Sequence, residues 1–529
     1  MRRLLCGTLL MLAVLAGTAP AHAQARQLRI ASAFDPQTMD PHALALLYHT
    51  RVNFQVHDSL LGRDDQFKLE PGLAESWQMV SPTAWRFKLR SGVKFHDGST
   101  FTADDAVFSI ERALAPPSQR AFQLKGATGA KKIDELTFDI ELATPDAVLP
   151  EKLVGLPMMS KAWSLQHGVE KAQDFNAKQE TFTSRHANGT GPYMVKGWAP
   201  DKEIVFIHHK GWWGKLDGNV TDVVYNPVKS DATRVSALLS GDVDLVTDLP
   251  VQDVDRLRKE SKLKVLDGHE VRTIFIGMDQ HNKELKYSSV KDKNPFQDVR
   301  VRRALNMAVD REAIKRVVMR GLSIPAGIMV APGVHGYSKD IDVVMKPNPA
   351  GAKKLLAEAG YPNGFEFTLD CPNNRYVNDE KICQALVGMW TKAGLKVRLN
   401  SIPFANFIPK ILNFDSSAYL LGWGVATFDA QYTLQSLVRT KTTGADGNFN
   451  LGRVSDLKLD NTIDAIKIAT DPRARDALLR EGLMATRDQH YYVPIHHQLR
   501  PWAMKKSVTT VHKADDRPES RYARVGGGV

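Results

Sequence analysis

The chain has 529 residues, with 70 Lys and Arg against 59 Asp and Glu, a formal net charge of +11, 43% apolar residues and 24% charged residues. That length exceeds one ordinary core and implies two or three domains. The balance of apolar and charged residues is that of a soluble globular protein. The basic residues are scattered, with no dense run and no zinc-finger or helix-turn-helix pattern, which argues against a nucleic-acid partner.

The first 23 residues read as a cleavable secretory signal peptide. Arg2-Arg3 is a basic start, Leu4 to Gly17 is an almost unbroken apolar run too short to span a bilayer comfortably, and Ala21-His22-Ala23 is a small-x-small cleavage site. Cys6 lies inside the apolar run rather than at its end, so a lipoprotein anchor is not expected. Removing Arg2 and Arg3 takes the formal charge from +11 to +9. Two cysteines remain, Cys371 and Cys383. In an oxidising compartment such a pair reads as a disulfide, with two buried free thiols as the alternative.

Leu28 to Ala33 reads as a strand, and Asp35 to Tyr48 turns at its prolines into a helix that runs to His57. Trp85, Phe87 and Leu89 alternate with Arg86, Lys88 and Arg90, as in a strand with one buried face. His96-Asp97-Gly98 is a turn. Thr102 caps a helix whose first turn carries Asp104 and Asp105 at the positive end of its dipole, with Ala106, Val107, Ile110, Ala113 and Leu114 at helical spacing. Lys132 to Leu142 reads as one strand. In Gly189-Thr190-Gly191-Pro192-Tyr193 the proline stands where a phosphate cradle needs backbone N–H groups, so the glycines do not indicate a nucleotide site.

Strands are expected over 203–208 and 220–226, and a helix over 231–239. A long helical region covers 298–321, with Asp310 capping a second helix inside it and Gly321 ending it. From about 295 to 425 helices alternate with strands, which is α/β patterning. The adjacent pairs His208-His209 and His496-His497 face opposite sides of their strands, so neither pair reads as a metal site. No nucleophile elbow, His-Glu-x-x-His helix or Cys-x-x-Cys motif appears.

The wording of residues 85–114 (WRFKLRSGVKFHDGSTFTADDAVFSIERAL) closely resembles the hallmark segment of the extracytoplasmic solute-binding proteins of family 5, the dipeptide and oligopeptide binders of ABC importers. PGLAESW at 71–77, GTGPY at 189–193 and residues 294–314 resemble the same family. The resemblance implies an α/β, two-lobed periplasmic binding protein fold of type II. Lobe I would hold about 24–275, with the extra subdomain of large peptide binders at about 62–186. Lobe II would hold 276–495, and 496–529 would return to lobe I, with crossovers near Thr273–Met278 and Val493–His497. It further implies a periplasmic monomer that captures a small peptide or peptide-like ligand and delivers it to the permease subunits of an ABC transporter at the inner membrane, with no cofactor and no catalysis.

Site residues follow from the same likeness. Arg375, beside Asn374, stands near the place where dipeptide binders carry an Arg for the ligand carboxylate. Trp423 resembles the family's strand-end Trp. The family places an Asp three residues later for the ligand ammonium, and here that residue is Ala426. Asp429 either takes that role or caps the helix that follows. Trp423 and Phe428 would wall a side-chain pocket, and Tyr48 and His49 would line the cleft from lobe I. The same fold could instead hold glutathione, an opine, a sugar or a metal chelate. A secreted peptide or ester hydrolase, and a chaperone or chemoreceptor partner, are readings from other classes.

Overall fold

Two sheets organise the molecule, seen in a computed structural model that describes residues 26–64, 67–443 and 446–526. The expected signal peptide lies outside the described residues. In the first sheet seven strands run in the order Leu263–Leu266, Trp502–Lys505, Leu245–Val246, Gln27–Ser32, Asp222–Pro227, Glu203–His208 and Tyr193–Ala199. Six strands make the second, in the order Ser323–Pro325, Val493–Leu499, His269–Met278, Ala418–Gly424, Glu366–Pro372 and Lys396–Ile402. Each sheet is the centre of one lobe. Both mix parallel and antiparallel pairs, with apolar clusters packed on their faces.

A four-stranded antiparallel sheet, Ala74–Ser81, Ala84–Leu89, Thr137–Leu142 and Ala127–Lys132, forms a separate small core with the helix Ala103–Leu114. The helix starts at a capping box in which Asp105 Oδ2 accepts from the Thr102 backbone N–H at 2.9 Å. Phe87 and Leu89 are buried and Lys88 is exposed, as their alternation predicts. The single strand expected over 132–142 is instead a hairpin. Asp134 Oδ1 accepts from the Leu136 N–H at 2.9 Å and closes a turn between Ala127–Lys132 and Thr137–Leu142. The region 298–321 divides into Val299–Met307, capped by Asp298, and a second segment from Arg311 capped by Asp310, whose Oδ1 accepts from the Ala313 N–H at 2.8 Å.

The two most recognisable motifs fasten this small core to lobe I. His96 donates its backbone N–H to the Gly189 carbonyl at 2.9 Å, and its Nε2 meets the Gly191 carbonyl at 3.0 Å. Burial holds the His96 imidazole neutral, with its pKa lowered to about 3. Asn188 exchanges hydrogen bonds with Asp97 at 3.1 and 2.8 Å. The glycines are needed for close approach. A Cβ on Gly189 would stand 1.9 Å from the Val56 carbonyl oxygen, where the chain runs against the end of the helix Leu47–Val56. His96-Asp97 is therefore a structural joint, not chemistry.

The chain changes sheets twice. It leaves the first sheet after Leu266 and enters the second at His269, then leaves the second after Leu499 and re-enters the first at Trp502. The segments 273–278 and 493–497 thus lie wholly inside the second sheet, and the connections are the short pieces 267–268 and 500–501. Their placement decides where a ligand can sit. In the first sheet Gln27–Ser32 runs parallel to Asp222–Pro227 and Leu245–Val246, and the pairs Val246↔Ala503 and Leu266↔Trp502 put both connections at the carboxyl edge. In the second sheet Glu366–Pro372 runs parallel to its neighbours, and Arg272↔Gly424 and His269↔Leu499 put the same connections at its carboxyl edge. The two carboxyl edges face one another across the hinge, and such edges are where α/β sheets hold ligands.

Candidate functional site

The cleft between the edges is lined near the hinge by Ala33, Phe34 and Asp248 from the first lobe, by Val377 and Asn378 from the second, and by Arg500 between them. Charge is arranged differently on its two sides.

On the first side the charges close on each other. Asp248 accepts from Arg51 at 2.7 Å, from Arg500 at 2.5 Å and from the Ala33 N–H at 3.1 Å. Asp516, fully buried, accepts from Arg51 at 2.5 Å, Arg500 at 2.8 Å and the Trp502 indole at 2.8 Å. Burial alone would raise the Asp248 carboxyl, but Arg51 and Arg500 outweigh it and hold it below the usual carboxylate range. Arg500 thus anchors the second connection to the first lobe.

On the second side one cation is left over. Arg375 sits exposed in the loop after Glu366–Pro372, at the carboxyl edge of the second sheet. Its guanidinium lies 5.2 Å from the centre of the Tyr376 ring and 5.4 Å from that of Phe404. Arg272 lies over the same Tyr376 ring at 5.9 Å. Partial desolvation, then the charges of Arg272 and Arg500, lower the Arg375 pKa. The carboxylate that acts in the other direction, Glu270, is already paired with Arg272 at 3.0 Å and hydrogen-bonded by Gln498. Burial pushes Glu270 up, and Arg272 and Arg500 together bring it below its ordinary value.

The loop that carries Arg375 is built to hold it still. Cys371 and Cys383 form a disulfide, which ties the strand end to the helix Asp379–Lys392. Asp379 Oδ2 accepts from the N–H groups of both Arg375 and Tyr376 at 2.9 Å. Asn374 Oδ1 accepts from the Phe404 N–H at 2.8 Å, so Asn374 joins this loop to the next helix.

Trp423 ends the strand Ala418–Gly424 and is nearly buried, stacked on Tyr432 at 5.0 Å and packed on Phe449 at 5.3 Å. Its Nε1 has no hydrogen-bond partner among the described residues. Ala426 is exposed and supplies no acceptor from its side chain. Asp429 does not replace the family carboxylate. It is buried, it caps Ala430–Thr433 by accepting from the Gln431 N–H at 2.8 Å, and it is paired with Arg475 at 2.8 Å and with His335 Nδ1 at 2.7 Å. Burial raises its pKa and the bonds from His335 and Arg475 more than compensate, leaving it at about 2.

The lobe I expectations divide. Tyr48 is half-buried, takes a hydrogen bond from Gln37 at 2.9 Å and packs at 5.2 Å against Phe34, which lines the cleft. His49 is not in the cleft. It is fully buried on the other face of the same helix, with Nε2 against the Asp40 carbonyl at 2.9 Å.

Arg63 and Phe67 of lobe I reach lobe II at a second contact. The Arg63 guanidinium lies between the rings of Phe67 (5.2 Å) and Phe428 (4.6 Å), pairs with Glu151 and reaches the Thr427 carbonyl at 3.4 Å. The Phe67 and Phe428 rings meet edge-on at 4.6 Å. Phe428 holds φ +55°, an uncommon conformation for a bulky residue, which turns its ring out to this contact. Sequence reasoning missed Arg63, Phe67, Arg272 and Arg500. The available signal was a charge inside or directly after an apolar hinge strand, as in Val271-Arg272-Thr273 and Leu499-Arg500-Pro501. Among the described residues no group of three His, Cys, Asp or Glu side chains is placed to hold a metal, and no helix is long and apolar enough to cross a membrane.

Comparison with known proteins gives a consistent result. The model for bacterial extracellular solute-binding proteins, family 5 middle region, matches residues 68–445. Heme-binding protein A of Haemophilus influenzae is 27% identical over 454 residues, covering 82% of this chain and 79% of that protein. The glutathione-binding protein GsiB of Pectobacterium atrosepticum is 26% identical over 458 residues, covering 84% and 83%. Among solved structures, HbpA2 from Haemophilus parasuis superposes with a TM-score of 0.81 at 22% identity, covering 94% of this chain and all of that one.

Proposed function

The chain belongs to the bacterial extracellular solute-binding proteins of family 5, and from that premise we propose that it captures a carboxylate-bearing peptide or peptide-like solute between its two lobes. It is the solute-binding component of an ABC importer. In this reading residues 1–23 direct export and are removed, and a monomer works in the periplasm. The open protein takes up the solute against the second sheet edge, and the lobes close over it. The closed form presents it to the permease subunits. Closure is a shift toward the state that binds the solute more tightly, so no bond is made or broken and no cofactor is involved.

One observation carries the ligand class. Arg375 is a cation without an ion-pair partner among the described residues, placed beside Arg272 at a carboxyl sheet edge, in a loop held by a disulfide and Asp379. A desolvated guanidinium of this kind is matched by a carboxylate. The relatives named for glutathione and heme bind molecules with that group in common.

Thermal-shift titration of the mature protein with tripeptides and with glutathione, each as free acid and as carboxamide, tests the reading. Stabilisation by the acids and none by the amides is expected. Equal stabilisation by acid and amide, or stabilisation by neutral sugars alone, overturns it.

A further inference from the structure

The contact at which Arg63 and Phe67 of lobe I meet Thr427 and Phe428 of lobe II is carried, on the lobe II side, by the segment 427–430. One residue from far along the chain grips that segment. The His335 backbone N–H donates to the Phe428 carbonyl at 2.8 Å, and its carbonyl accepts from the Ala430 N–H at 2.9 Å. Its ring adds Asp429, with Nδ1 2.7 Å from Oδ2, and has a second carboxylate on its other side. Nε2 lies 2.8 Å from Oδ1 of Asp476, on the helix Pro472–Asp488. A neutral imidazole has one N–H and can serve only one of these carboxylates, while its other nitrogen turns a lone pair toward the second. The imidazolium donates to both, so the arrangement is fitted to the charged ring.

The charges around the ring agree. The bond to Asp429 outweighs desolvation and, with the charges of Asp429 and Asp476, raises the His335 pKa against the opposing charge of Arg475. Arg475 lies 3.4 Å from Nδ1 and pairs with Asp429 at 2.8 Å. Arg480, one turn after Asp476, is taken by Asp340 at 2.5 Å. Across the contact stands Glu151 of the small core, paired with Arg63. Burial raises the Glu151 pKa and Arg63 opposes it; Asp429 then raises it further and His335 lowers it. Asp429 and Asp476 are thus balanced by Arg475 and a charged His335. With the ring neutral, these four side chains carry one net negative charge toward Glu151. The ring is half-exposed, so its proton exchanges with solvent.

We propose that His335 is a pH-sensitive clasp on the contact between the lobes: its imidazolium holds the segment 427–430 in place for Arg63 and Phe67, and loss of its proton loosens that contact. Two effects act together. Deprotonation gives up one of the two ring bonds, and it leaves Asp429 facing Glu151 with less positive charge between them. Separating the lobes takes Glu151 away, so His335 holds its proton more tightly while the lobes touch. The contact is therefore firm below the histidine titration and weakens as pH rises through it. The clasp lies in the fold itself and does not depend on which solute is bound.

The test is energy transfer between dyes on Lys131→Cys in the small core and Lys392→Cys in lobe II, both exposed positions, in the full mature protein, whose own two cysteines are joined. It reads the ratio of touching to separated lobes without any ligand. That ratio is expected to fall about two- to fivefold from about pH 5.5 to about pH 9. His335→Gln, which cannot take up the proton, is expected to show the lower ratio throughout. Asp476→Asn, at an exposed position, leaves the ring one carboxylate to serve and is expected to move the step to lower pH. A wild-type ratio that does not change with pH, a step that survives His335→Gln, or one that Asp476→Asn leaves in place overturns the inference.

Discussion

The two sheet edges that face each other across the cleft use the same residue types to opposite ends. On the lobe I edge Arg51, Arg500, Asp248 and Asp516 neutralise one another, and every charge has a partner within 2.8 Å. On the lobe II edge Arg375 is held as firmly by its backbone, yet its guanidinium is left open. A closed network gives rigidity and a fixed hinge. An open one leaves a guanidinium that a ligand carboxylate can pair. The lesson is that a charge beside the cleft indicates a ligand only when the chain has not already matched it.

Asp516→Ala breaks the first side and carries the largest expected effect. It leaves Arg51 and Arg500 with one buried carboxylate between them, and should cost about 3–5 kcal/mol of stability in chemical denaturation. Arg375→Ala is the opposite probe. It should weaken an acidic ligand by about 2–5 kcal/mol while leaving the denaturation midpoint unchanged or slightly higher, because it removes a repelled cation. A large fall in stability would instead place Arg375 with the structural charges.

The disulfide tests whether the open side depends on a rigid loop. Replacing both Cys371 and Cys383 by Ser removes a cross-link spanning 12 positions, and should cost about 3 kcal/mol of stability and also reduce affinity. Phe67→Ala opens the contact with Phe428 and should cost about 2 kcal/mol of closed-state stabilisation, seen as faster ligand release in stopped flow. An unchanged release rate would show that this contact does not restrain closure.

His335 gives the smallest effect and a defined sign. Its bond to Asp429, against an opposing desolvation, raises its pKa above the ordinary value. The stabilisation is therefore complete below the unfolded value and is lost as pH rises through the higher folded value. His335→Gln should flatten that part of the stability profile, and a profile that keeps its slope would assign it to another group. His96 works in the reverse sense. Its pKa is lowered to about 3, so it costs stability as pH falls below the ordinary histidine value and the unfolded chain takes up the proton.

Local elements were legible because their causes are local. The alternation at Trp85–Leu89, the cap at Thr102 and the cap at Asp310 depend on neighbours a few residues away. Within the hairpin at 127–142, residues 132–142 read as one strand, because the period carries through the turn and only Asp134 marks it. The cleft residues were harder. Arg375 and Trp423 were reached through the family's wording, and both stand on the second sheet edge. His49 and Asp429 have the right chemistry in the wrong surroundings. One lies on the inner face of its helix, and the other is taken by Arg475, 46 residues away.

The sequence by itself determined an α/β protein and, through its motif wording, its family with that family's two lobes, because helix and strand periods and the motif wording are all written in short stretches. Only the tertiary structure decided which charges are free. Arg51 meets Asp516 across 465 residues of chain, Glu270 meets Gln498 across 228, and Arg272 meets Gly422 across 150. Whether a guanidinium is a strut or a ligand site depends on which distant carboxylate the fold brings to it, and no local pattern encodes that.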